Sequence, residues 1–363
     1  MKALRYAIIL MILVQLFLPW AMPTNQIYHN RIDYNITKES DEKFEPALEQ
    51  IKLEIKHKHL KDYIIIIGDS VLYGSPGNSD QAVNAFMEDS ARKSPTQSKL
   101  RIFNLSYPSM MAGDIYVMLL KLDELGISTD HIMINFRYAS FVARDTNPPI
   151  KAVFWLMRDL KSLDSSAYQH ILPQMKDSHY KEPAFFYGQF MDKLYHDFLP
   201  EIKLYSYKDY IVNMLQRSKL KLLGHKLPDD AIQFGDPRPW TVKETLTKYV
   251  QGDVIKKSYS DTPFNMTESN PDIYFIEKIL KHQEGKETMV VMNGANQTLL
   301  KQYVEKPGYQ TNLQAIDAYF QQKPVKYVNL EGKIDDSLYT DHTHFIAEGY
   351  KAMADLLWPY YAK

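Results

Sequence analysis

The chain contains no cysteine. That excludes disulfides, thiolate metal sites, a cysteine nucleophile and a lipidated N-terminal cysteine, but it assigns no compartment. An excess of either charge is missing too. Lys and Arg number 43 against 44 Asp and Glu, a formal net charge of -1, so no overall field draws in nucleic acid or an anionic surface. Internal repeats and low-complexity segments are also absent. What is present is an ordinary globular balance, 45% hydrophobic and 24% charged over 363 residues. That is enough for one large domain or two ordinary ones, with a core that needs no staples. Aromatics reach 13%, with 26 Tyr, which suits glycan-binding platforms and plain cores alike.

One apolar run stands out. Lys2 and Arg5 precede an uncharged stretch from Tyr6 to Met22 that includes Ile8-Ile9-Leu10-Met11-Ile12-Leu13-Val14. A bilayer needs roughly 17–25 such residues, so the run is just long enough. The positive end belongs in the cytoplasm, which predicts that the remainder lies outside. A cleaved signal peptide competes. Ala21 could precede a cut, but Pro19 sits poorly two residues earlier, so an uncleaved single-pass anchor is expected, with secretion the outcome if the segment is removed. Residues 1–22 therefore read as anchor or signal, and 23–60 as a stalk. A helix is expected there from about Pro46 to His59, where Leu48, Ile51, Leu53 and Ile55 recur at near-helical spacing.

The pattern changes at Tyr63-Ile64-Ile65-Ile66-Ile67, a β-branched run ending at Gly68. Short continuous apolar runs of this kind mark strands buried on both faces of a parallel sheet. Four more follow: Leu100 to Phe103 before Asn104, His131 to Ile134 before Asn135, Thr288 to Met292 before Asn293, and Val325 to Val328 before Asn329. Helices are expected between them at Asp80 to Lys93 after a Ser79 cap, Asp114 to Leu125 before Gly126, Asp272 to His282 and Asn312 to Gln321, with a last one at Ala347 to Tyr360. The alternation predicts an α/β sandwich around a mostly parallel sheet, with polar residues gathered where strands end. Residues from about 146 to 270 break the rhythm. They read as a helical insertion between strands three and four, rich in aromatics such as Phe154, Trp155, Tyr168, Tyr180, Phe186 and Tyr210.

Two short motifs carry chemistry. Gly68-Asp69-Ser70 directly follows the first strand, where a turn lifts the Ser hydroxyl out of the sheet edge and aims nearby N–H groups at a developing oxyanion. Gly68 is expected to permit the tight turn. Asp341-His342-Thr343-His344 precedes the last helix. Its spacing lets the Asp341 carboxylate hold Nδ1 of His344 and leave Nε2 free to deprotonate a serine. Taken alone, each motif is also an ordinary polar turn. His342 and His344 have a spacing that a metal could use, but no Cys and no further His or carboxylate lies near, so no metal is expected. Asn293 and Asn296 follow the fourth strand at the same edge. They read equally as substrate contacts or as a turn with a helix cap.

Together, a strand followed by Gly-Asp-Ser near the start and Asp-x-x-His before a C-terminal helix resemble the first and last sequence blocks of the SGNH (GDSL-like) hydrolase superfamily. The resemblance spans about Tyr63–Asn135 and Glu287–Tyr360. It implies a flavodoxin-like three-layer α/β/α fold for residues 61–363, with Ser70 as nucleophile, His344 as base, Asp341 as its orienter, and no cofactor. The middle blocks depart from the pattern. Ser109 stands where the family has an oxyanion-hole glycine, with Gly113 a little late, and the Gly-x-Asn-Asp block is missing. Ser70, Ser109 and Asn135 are the candidate oxyanion donors, Arg137 being a substitute for Asn135. Asp69, Arg137, Asn293 and Asn296 are the candidate substrate contacts.

The anchor and the helical insertion make the layout similar to membrane-anchored SGNH-like proteins of bacterial surface-polymer O-acylation, such as the lipoteichoic-acid D-alanylation and alginate O-acetylation proteins. That implies an extracytoplasmic esterase or O-acyltransferase acting on acyl, first of all acetyl, esters of a cell-surface polysaccharide, with a membrane-bound O-acyltransferase as partner and no role for nucleic acid. Two other readings stand beside it: a secreted esterase or lipase on small or lipid esters, and a glycan- or partner-binding protein with a vestigial site.

Overall fold

The computed structural model describes residues 2–38, 41–142, 153, 155–175, 185–225 and 235–362. Its contacts divide the chain into two compact units, Met1–Lys61 with His179–Ile232, and Asp62–Ser178 with Gln233–Lys363.

The larger unit is of the α/β class. Its sheet has five parallel strands: β1 (Tyr63–Ile67), β2 (Arg101–Asn104), β3 (His131–Arg137), β4 (Glu287–Asn293) and β5 (Lys326–Asn329). Their spatial order is β2-β1-β3-β4-β5, the doubly wound order in which ligands bind at the carboxyl ends of the strands, where the winding reverses between β1 and β3. All five expected runs are strands, and β1 is buried along its whole length. β3 runs three residues further than expected. The register pairs Asn135 with Val291, Phe136 with Met292 and Arg137 with Asn293, so Asn135 and Arg137 are strand residues rather than loop residues beyond the strand.

Side chains alternate across the sheet. Ile64, Ile66, Ile102, Met133, Met289, Val291 and Val328 face one way and form a core with Val83, Met87, Tyr350, Met353 and Leu357. These last belong to helices α2 (Val83–Lys93) and α6 (Ala347–Leu357). The intervening residues face the other way. There Phe136 stacks on Phe320 of α5 (Pro307–Gln321), with ring centroids 6.0 Å apart, and Tyr63 meets Phe103 edge to face. Helices α3 (Ala112–Leu125) and α4 (Pro271–His282) meet through Tyr116 and Phe275.

Boundaries moved where local chemistry decided them. The helix expected from Asp80 is a short 3-10 turn at Ser79–Gln81, then extended Ala82, then α2. Pro307 starts α5 five residues before the expected Asn312, because proline fits the first turn of a helix. Gly126 ends α3 in the left-handed conformation at φ 67°, as its position suggested.

Among the described residues, the smaller unit holds one helix long and apolar enough to cross a membrane by length and composition, Lys2–Ala21. Its last turn is gripped by helix Glu45–His57, whose Gln50 Nε2 donates to the Pro19 carbonyl at 2.6 Å. Two short antiparallel strands, Tyr28–His29 and Arg31–Ile32, turn at Asn30 within the region expected to be a stalk. Tyr207 and Tyr210 are fully buried, their hydroxyls donating to Glu49 Oε2 and the Lys43 carbonyl. These two insertion aromatics are core, and Phe186 is exposed. Phe154 and Tyr180 lie outside the described residues.

Candidate active site

β1 delivers Ser70 to the sheet edge. The strand ends at Ile67, and Ser70 opens the one-turn helix α1 (Ser70–Tyr73). Asp69 caps that helix, its Oδ1 accepting the Val71 N–H at 2.9 Å. The first N–H groups of a helix have no partner inside it, so the Ser70 N–H lies beside its own hydroxyl unspent by the helix. Gly68 serves differently from the tight turn expected of it. It has no positive φ. A Cβ there would fall 1.7 Å from Asn135 Oδ1, so glycine is needed because the Asn135 side chain crosses its face.

The loop before α6 brings the second motif to the same place. His344 Nε2 lies 2.7 Å from Ser70 Oγ, and His344 Nδ1 lies 2.8 Å from Asp341 Oδ2. A carboxylate only accepts, so Nδ1 carries the proton and Nε2 accepts from the serine hydroxyl. The other carboxylate oxygen, Asp341 Oδ1, accepts the N–H groups of Thr343 and His344, each at 2.8 Å. Burial by itself would raise the Asp341 carboxyl. His344, His342 and the His344 N–H outweigh it and hold the group well below the usual carboxylate range.

His342 is bound to the same loop but differs in kind. Its Nδ1 is 3.7 Å from Asp341 Oδ1, too far for a hydrogen bond. Its ring sits near Tyr249 and Tyr259. Burial pushes its pKa down to about 4 against the pull of Asp341, and the charges of His344 and Arg137 depress it further. Among the described residues, no group of three or more His, Asp or Glu side chains is arranged to hold a metal ion.

The remaining candidates divide by what they touch. Asn135 Oδ1 accepts the Asp69 N–H at 3.0 Å, and its Nδ2 donates to Asp69 Oδ1 at 2.8 Å. Arg137 pairs with the other carboxylate oxygen of Asp69. The Asp69 carboxylate is thus occupied by Val71, Asn135 and Arg137, and these contacts fix the turn that carries Ser70. Asn296 is fully buried and tied to the histidine loop. Its N–H donates to the His342 carbonyl at 3.1 Å and its Nδ2 to the Asp341 carbonyl at 3.4 Å. Ser109 is exposed, at φ 65°, a left-handed conformation that glycine adopts without penalty and serine does not. Asn293 is buried at the end of β4, and neither side-chain polar atom has a hydrogen-bond partner among the described residues.

Sequence reasoning missed the segment 236–249. Its Trp240 N–H donates to the Tyr339 carbonyl, and Lys243 Nζ donates to the carbonyl and hydroxyl oxygens of Thr340 at 2.7 and 2.5 Å. These bonds anchor the segment beside Asp341. Together they wall a cavity of about 770 Å³ lined by Arg238, Leu246, Tyr249, Asp341, His342 and His344, among others. Nothing in the local sequence signals this, because the partners lie about a hundred positions apart.

No family model matches the chain, and no curated protein matches it. Solved structures do. One is a carbohydrate acetylesterase family member from Sinorhizobium meliloti, at 10% identity and a TM-score of 0.34, covering 83% of this chain and 97% of that one. Another is the lipase Lip_vut3 from a goat rumen metagenome, at 11% identity and a TM-score of 0.32, covering 82% and 96%.

Proposed function

We propose that the chain is a serine-dependent ester hydrolase or O-acyltransferase, with Ser70 as nucleophile, His344 as general base and Asp341 as the group that orients it. The observation that carries this reading is the continuous Ser70–His344–Asp341 hydrogen-bond chain at 2.7 and 2.8 Å. Ser70 Oγ bonds to the acyl carbonyl carbon while its proton passes to His344 Nε2. The imidazolium, stabilised by Asp341, then gives that proton to the departing alkoxide as the ester C–O bond breaks. A water or a sugar hydroxyl attacks the acyl-Ser70 ester, loses its proton to the same Nε2, and Ser70 leaves with it. The Ser70 N–H is the first oxyanion donor and the Ser109 N–H the second, in place of the engaged Asn135 amide, because the N–H groups of Leu105, Ser106 and Tyr107 are already bonded within the fold and Pro108 has none.

The substrate class proposed is a small acyl ester, first an acetyl ester, on a polysaccharide outside the cytoplasm. The cavity beside His344 supports this, because Asp236, Arg238, Lys243 and Glu244 line it. Charged walls of this kind suit a hydroxyl-rich acceptor better than a long acyl chain. The Lys2–Ala21 helix would anchor the enzyme, next to a membrane-bound O-acyltransferase that supplies the acyl group. A second reading, a binding protein with an unfinished site, has one observation in its favour: the Asn135 amide is held by Asp69.

Labelling with a serine-reactive fluorophosphonate, read by intact mass, separates the two. One adduct is expected on the wild type and none on Ser70→Ala or His344→Ala. A well-folded wild type that takes no adduct would sink the enzymatic reading.

A further inference from the structure

The smaller unit carries a patch that the proposed chemistry does not use. Phe185, Phe186, Tyr187 and Phe198 are 81%, 86%, 72% and 65% exposed, and Phe190, Ile202 and Leu204 are exposed as well. Exposed apolar surface of this extent calls for a partner. A second observation says which. Gln15 is a polar side chain among the apolar residues of the Lys2–Ala21 helix, where an unsatisfied amide would be costly in lipid. It is satisfied by the patch itself. Gln15 Nε2 donates to the Glu201 carbonyl at 2.6 Å, and the Lys203 N–H donates to Gln15 Oε1 at 2.9 Å.

That clasp sets a depth. Pro19 is the one buried residue of the helix, and Gln15 lies one turn nearer its start, about 6 Å at 1.5 Å per residue. Its neighbours Leu16 and Phe17 are exposed. If they face lipid, residues 201–203 stand level with them. The segment also carries Asp192, Lys193, Asp197, Glu201 and Lys203, too many charges to cross a bilayer. Alternation of aromatic and charged side chains at one end of a spanning helix is the composition of a segment lying in the headgroup boundary.

We propose that residues 185–204 form a second membrane contact, seated in the lipid interface beside the anchor helix and locked to it through Gln15. The proposal rests on the anchor reading, so its test must tell the two apart. Without native cysteine, each single-cysteine variant gives one spin label. Leu16→Cys, Phe186→Cys, Phe198→Cys and Lys351→Cys would be labelled in the full chain, reconstituted in phosphatidylethanolamine and phosphatidylglycerol vesicles. All four replace exposed side chains, so folding is not at stake. Relaxation by lipid-soluble oxygen and by an aqueous nickel chelate is then compared. The expected result is loss of nickel relaxation and gain of oxygen relaxation at 186 and 198, as at 16, with the reverse at 351. Nickel access at 186 and 198 with lipid access at 16 overturns this proposal alone. Nickel access at 16 overturns the anchor reading as well. Protection from both reagents at 186 and 198 overturns the proposal in favour of a protein cover.

Discussion

Asn135 and Asp69 hold each other by two hydrogen bonds, one to the Asp69 backbone N–H and one to its carboxylate. They lie on adjacent strand ends, 66 positions apart in the chain. The clasp places Ser70, because Asp69 is both the clasped residue and the cap of the helix that Ser70 opens.

Asn135→Ala should therefore slow acylation without preventing it. Removing a buried hydrogen bond to a charged group costs about 1.5–3 kcal/mol. Stability should fall by that order, and fluorophosphonate labelling should slow by about one to two powers of ten, at 1.4 kcal/mol per factor of ten. Labelling kinetics and urea unfolding of the same sample check both. Labelling at the wild-type rate would separate the clasp from the chemistry.

Gly68→Ala should be worse than its size suggests. The new methyl would overlap the Asn135 amide oxygen, 1.7 Å away, and overpacking of a tight site costs about 1–3 kcal/mol. The double variant Gly68→Ala/Asn135→Ala should lose less stability than the sum of the singles, since the second change removes what the first collides with. An additive double-mutant cycle would contradict the contact.

Stability should depend on His342 between neutral and mildly acidic pH. Its pKa falls from 6.5 when unfolded to about 4 when folded, so in that window the unfolded chain binds the extra proton and stability drops as pH falls. The contribution is full above 6.5 and declines toward 4, by about 3 kcal/mol at 1.36 kcal/mol per unit. Urea midpoints between pH 7.5 and 4.5, a range chosen about these values, should fall more steeply for wild type than for His342→Phe.

Asn293→Leu should raise stability, because a buried unpartnered amide costs about 1–3 kcal/mol. If the amide serves substrate, the same change lowers kcat/KM for an acetylated sugar while fluorophosphonate labelling holds steady. A loss of stability would show that the amide already has a partner.

Much of the larger unit was legible because its signals are local. Runs such as Tyr63–Ile67 need no partner to read as buried strands, and Asp341 and His344 are close enough in sequence to suggest their contact. What escaped depends on distant pairings. The reach of β3 to Arg137 is decided by β4. Segment 236–249 finds its place only against Thr340 and its neighbours. The joining of residues 179–232 to the first 61 leaves no local trace. Position at a strand end marks Asn135 and Arg137, but their engagement with Asp69 depends on the fold.

Ser70 and His344 are separated by 274 positions. During synthesis the serine emerges long before the histidine, and on the proposed mechanism it is an ordinary alcohol until the chain has been made as far as His344. On that mechanism no reactive hydroxyl exists until His344 is in place, and a product truncated before His344 is chemically silent rather than misdirected.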